Sequence, residues 1–173
     1  AMFSLALPFT FVRPFTTTAG LVPPEVFYGR EEEYAKVIDP FGPNIIYGGR
    51  QLGKTALLKY ALQSSHSPNE GKIAVYLNLQ MPGIGTEKRA EEVWPELGNS
   101  LKAAGLEVQR NATQNVLSRA VQQWLDQDGA RKILVLMDEA DGLFETDEEF
   151  KVVAGIKGLM DLTNRRFKVV FFF

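Results

Sequence analysis

The 173-residue chain has no cysteine and a single histidine, His66. Without thiols it has no disulfide scaffold, no cysteine nucleophile and no cysteine-ligated zinc, and the composition fits a reducing, cytoplasmic setting. A Ser-His-Asp triad would have to use His66, which lies in the polar loop Ser64-Ser65-His66-Ser67-Pro68, where a solvated side chain is the simpler role. No apolar run approaches the ~18 residues of a membrane helix. The apolar opening, residues 1–9, lacks the basic start of a secretory signal. Neither sign of charge dominates: 19 basic against 21 acidic side chains leave a net charge of -2. That balance argues against a broad nucleic-acid surface, leaving only local clusters such as Arg165-Arg166-Lys168. With 45% hydrophobic residues, the chain has the size and core content of one α/β unit.

What is present is more specific. Gly48-Gly49-Arg50-Gln51-Leu52-Gly53-Lys54-Thr55-Ala56 has two glycines separated by four residues and followed by Lys and Thr, the pattern of a phosphate-binding loop. Phosphate oxygens need a ring of backbone N–H donors, and only residues with little side chain let the backbone wrap that closely. Gly48 and Gly53 meet that need. Lys54 then offers an ammonium to the β and γ phosphates and Thr55 a hydroxyl to Mg²⁺, while a helix starting here points the positive end of its dipole at the anion. The pattern requires a strand before the loop and a helix after it. Asn44-Ile45-Ile46-Tyr47 supplies a β-branched run behind the turn Phe41-Gly42-Pro43. Residues 55–64 place Leu57, Leu58, Ala61 and Leu62 on one helical stripe.

Downstream, Ile133-Leu134-Val135-Leu136-Met137 runs into Asp138-Glu139-Ala140-Asp141. An apolar run without alternation suits a parallel strand covered on both faces, and ligands bind at the carboxyl ends of such strands. Asp138 is therefore expected to hold Mg²⁺, and Glu139 to take the proton from an attacking water. Strand-end polar or capping roles are the ordinary alternative for such acids, and a local turn role suits Asp141 better than chemistry.

These segments, with Phe27-Tyr28-Gly29-Arg30-Glu31 upstream, resemble the STAND and archaeal-type ATPases, relatives of the AAA+ proteins, over residues 22–173. The resemblance implies a three-layer P-loop NTPase core with a parallel sheet of order 1-4-3-2. It also implies ATP or ADP as ligand, Mg²⁺ as cofactor, and a base pocket lined by Phe27, Tyr28, Gly29 and Arg30. Core packing is the other use of those aromatics. In that family a fifth strand, a helical lid and a sensor arginine would follow, so the chain reads as a truncated ATPase core. The implied function is a nucleotide-driven switch inside a larger multidomain protein, working with protein partners or by self-association. A nucleotide-binding scaffold that does not hydrolyse is the alternative. A helicase-like motor rests only on the four letters Asp-Glu-Ala-Asp, without the second RecA-like domain such motors use.

The rest of the chain fills in around these motifs. Residues 1–24, with Pro8, Pro14, Pro23 and Pro24, read as an extended arm on which Phe9, Phe11 and Phe15 alternate, and residues 25–173 as the core domain. A second strand is expected over residues 72–80, leaving Asn78 and Gln80 to touch either γ-phosphate or loop backbone; residues 81–85 then read as a mobile connection. Helices are expected over residues 86–104, interrupted at Pro95, over residues 112–127 with Trp124 in the core, and from a capping box at Thr146 and Glu149. Arg165-Arg166 closes that last helix, either as dipole partner or as an arginine reaching a neighbour's nucleotide. By the same resemblance the final strand, residues 167–173, is expected between the first and third, leaving the first strand as an edge that invites oligomerisation.

Overall fold

A computed structural model describes residues 30–47, 54–80, 83 and 89–173. The arm, Phe27, Tyr28, Gly29, and Gly48, Gly49, Arg50, Gln51, Leu52 and Gly53 lie outside the described residues, as does most of the connection over residues 81–85. The elements are α1 (Glu31–Ile38), β1 (Ile45–Ile46), α2 (Lys54–Ser65), β2 (Lys72–Asn78), α3 (Val93–Ala103), α4 (Gln114–Asp126), β3 (Lys132–Asp138), α5 (Asp147–Leu162) and β4 (Phe167–Phe172). The strands form one sheet in the order β1-β4-β3-β2, and every neighbouring pair is parallel. β4 lies between β1 and β3, the position expected for it.

Strand alternation divides the sheet into two faces. Ala74, Leu134, Leu136, Val170 and Phe172 pack against Val37 of α1 and Leu57, Leu58 and Ala61 of α2. On the other face Ile73, Val75, Ile133, Val135, Met137, Phe167 and Val169 meet α3, α4 and α5 through Leu97, Leu101, Leu117, Val121, Ile156 and Leu159. β3 is buried from Ile133 to Asp138 and β4 along its whole length, as a parallel strand between two helical layers must be.

The ends of the elements differ from the sequence expectation where local chemistry wins. α3 begins at Val93, so Pro95 falls in its first turn, where a proline costs no helical hydrogen bond. A short 3₁₀ turn, Ala90–Glu92, precedes it, and no break occurs at Pro95. Trp124 is half-buried, packing against the core cluster while the Arg131 guanidinium lies 4.7 Å from its ring centroid. The capping box at α5 is present, with Thr146 N–H donating to Glu149 Oε2 at 2.7 Å and Glu149 N–H returning to Thr146 Oγ1.

His66 is exposed, as expected, and also takes a structural bond. Its Nδ1 accepts the Ala74 N–H at 3.2 Å, tying the loop after α2 to β2. β1 is a two-residue edge strand with Ile45 41% exposed, so the open sheet edge expected there is short.

Candidate functional site

Asp138 is the last residue of β3 and shares the face of Leu134 and Leu136, so its side chain turns toward α2. Lys54 is the first residue of α2. The carboxylate is 4% exposed and receives three donors. Lys54 Nζ is 2.9 Å from Oδ1, the Glu139 backbone N–H donates to the same oxygen at 3.0 Å, and the Tyr76 hydroxyl donates to Oδ2 at 3.0 Å. Lys54 Nζ is also 3.3 Å from Glu139 Oε1. One ammonium thus bridges the two acids at the carboxyl end of the sheet, where open parallel sheets bind ligands.

Backbone geometry aims the second acid. Glu139 has φ +53°, in the left-handed region that side chains other than glycine enter at a cost of about 1–3 kcal/mol. The chain therefore breaks sharply out of β3 and folds the Glu139 carboxylate back toward Lys54. Two bonds fix the strand end: Leu79 N–H donates to Asp138 O at 3.0 Å, and Ala140 N–H to Phe172 O at 3.1 Å.

Burial works against the charge on Lys54. The hydrogen bond and charge of Asp138, then those of Glu139, outweigh it and hold the lysine above its ordinary pKa. Burial, followed by the negative charge of Asp138, pushes the Tyr76 phenol up, which keeps its proton in place as a donor.

Beside Lys54 lies a cavity of about 300 Å³, whose lining includes Arg30, Ile46, Tyr47, Leu57 and Phe172. The structure thus brings Arg30, expected at a base pocket, and Lys54, expected at phosphates, to one cavity. Arg30 also caps the start of α1: its carbonyl accepts the Tyr34 N–H and its Nε donates to Glu33 at 2.8 Å. Thr55 follows Lys54 on the first turn of α2 and is exposed, and Ala56 is half-buried.

The remaining candidates make local contacts. Asn78 Oδ1 accepts the Gln80 N–H at 3.0 Å, the loop-backbone use. Asp141 opens the 3₁₀ turn Asp141–Leu143 and is exposed. Arg165 and Arg166 precede β4 and so stand at the amino end of the sheet, opposite Asp138. Arg165 pairs with Asp161 at 2.8 Å and Arg166 with Asp126 at 3.1 Å.

Tyr76 is the site residue that sequence reading passed over. It sits two residues before Asn78, the register partner of Asp138, so pairing register together with strand alternation places it on the same face as that acid. The chain matches no family model and no curated protein sequence.

Proposed function

We propose that this chain is an ATP-binding, Mg²⁺-dependent ATPase core of the P-loop type, acting as a nucleotide-driven switch in a larger protein. The observation that carries the reading is the convergence of Lys54 with Asp138 and Glu139 at the carboxyl end of a parallel 1-4-3-2 sheet. The residues Gly48 to Gly53 complete it by their spacing, and the resemblance to STAND and archaeal-type ATPases supplies adenine as the base.

The residues suit a magnesium ion held mainly by ligand oxygens. Among the described residues no three acidic or histidine side chains converge on one point, whereas Asp138, with a cation already 2.9 Å from Oδ1, and the neighbouring Thr55 offer one carboxylate and one hydroxyl. Magnesium, when bound, supplies charge neutralisation across the β and γ phosphates. Lys54 has two sets of anions to choose between. Without nucleotide its ammonium neutralises Asp138 and Glu139; with nucleotide it turns to the phosphates and frees both acids. Asp138 is then available to the cation and Glu139 to the proton of an attacking water. Tyr76 keeps Asp138 Oδ2 fixed while Oδ1 changes partner.

A nucleotide-binding scaffold without turnover differs only in Glu139 chemistry. Steady-state phosphate release at saturating Mg-ATP separates them. The enzyme reading expects turnover that Glu139→Gln abolishes while ATP still binds; equal rates in the two proteins would remove it.

A further inference from the structure

Lys72, Lys132 and Lys168 come from three adjacent strands. Lys72 and Lys132 are register partners at the starts of β2 and β3, and Lys168 of β4 is level with Leu134, one same-face step further along. Alternation puts all three on the face of Ala74, Leu134 and Val170, toward α1 and α2. They form a row at the amino end of the sheet, the end opposite Asp138. A cavity of about 220 Å³ opens there beside the carboxyl ends of α1 and α2, and Arg165, Arg166 and Tyr34 join the lysines in its wall. Among the described residues no aspartate or glutamate lines it.

The charges around this cavity are incompletely matched. Arg165, Arg166 and Lys72 reach acids that do not line it, and the Lys72–Glu70 pair is largely exposed and so of little weight. Lys132 has no ion pair among the described residues. Lys168 is 3% exposed and donates to the backbone oxygens of Lys36 and Asp39 at the end of α1, with no carboxylate in ion-pair range among the described residues. Those bonds neutralise a helix end that would otherwise repel an anion. Burial pushes the Lys168 ammonium down to about 8, Asp39 opposing that shift and Arg165 adding to it. Side-by-side Lys72 and Lys132 repel each other across neighbouring strands. Helix capping explains Lys168; it does not explain three lysines converging on one hollow with no carboxylate in its described lining.

We propose that this cavity is a second ligand site, taking a small multivalent oxyanion of the phosphate class against Lys72, Lys132 and Lys168. Lysine ammoniums on flexible stems suit a compact polyanion seen as a point charge more than a planar carboxylate. The site is separate from the Lys54 cavity and does not depend on the nucleotide reading.

The test is calorimetric titration with inorganic pyrophosphate in EDTA at fixed ionic strength, in the wild-type chain and in Lys54→Ala, which silences the opposite end. Saturable binding in both proteins is expected, with a Kd below about 1 mM, weakened at least about tenfold by Lys132→Ala and by Lys72→Ala. Both substituted side chains are on exposed residues, and thermal melts check that the variants fold. Absence of saturable binding overturns the proposal. So does binding that vanishes in Lys54→Ala yet ignores Lys132→Ala, or an equal response to chloride of matched ionic strength.

Discussion

Lys54 Nζ lies 2.9 Å from Asp138 Oδ1, joining the first residue of α2 to the last residue of β3. Both side chains are largely out of water, at 17% and 5% exposure, so neither charge is stable there alone. Lys54→Met should therefore destabilise the chain by about 1–3 kcal/mol, because it strands a buried carboxylate. Adding Asp138→Asn should return part of that loss. Urea denaturation of both single variants and the double checks the coupling; strictly additive effects would contradict it.

Tyr76 acts through Asp138 and is a positioning residue. Tyr76→Phe removes the 3.0 Å bond to Oδ2 and leaves the ring in place. Loss of such an outer partner typically weakens a metal site about 10–100-fold. The Mg²⁺ concentration that half-saturates turnover should rise within that range, while ATP binding in EDTA stays unchanged. A fall in metal-free ATP binding instead would assign Tyr76 to the nucleotide or to the fold.

Glu139 sits at φ +53°, where only glycine is at ease. Glu139→Gly should exceed Glu139→Ala in stability by about 1 kcal/mol, the reverse of the usual order, since both lose the same carboxylate. Neither should turn over ATP. Thermal melts of the pair provide the comparison, and an alanine variant equal to or above the glycine variant would contradict the strained turn.

The pH dependence follows from Lys168. Its folded pKa, about 8, lies below the ordinary lysine value, so above pH 8 the unfolded chain holds more protons than the folded one and stability rises with pH. Lys54 and Tyr76 are shifted upward, and their contributions are lost only above the ordinary lysine and tyrosine pKa values. Denaturation free energy should therefore increase from pH 8 toward pH 10 in the wild type, and that slope should flatten in Lys168→Met. A flat wild-type profile would contradict the burial of this ammonium.

Much of the architecture was legible because its signals are local and periodic. The apolar run from Ile133 to Met137, the Thr146–Glu149 capping box and the stripe Leu57, Leu58, Ala61 each specify an element through short-range chemistry. The partners of Asp138 were legible only in part. Lys54 follows from motif spacing, whereas Tyr76 emerges from pairing register between β2 and β3, a long-range fact that no sequence window contains. The same holds for the lysine row: Lys72, Lys132 and Lys168 are scattered along the chain and meet only because three strands align their starts. Pro95 misled because a proline in a first helical turn and one in mid-helix look alike until the helix start is known.

The central claim is that Lys54, Asp138 and Glu139 surround a magnesium-bound triphosphate. Calorimetric titration of the wild-type chain with Mg-ATP, Mg-ADP and Mg-GTP, beside Lys54→Ala, tests it most directly. The account predicts saturable binding with adenine preferred over guanine, and its loss on replacing Lys54. A wild-type chain that takes up no nucleotide, or a Lys54→Ala variant that binds as tightly as the wild type, would contradict it.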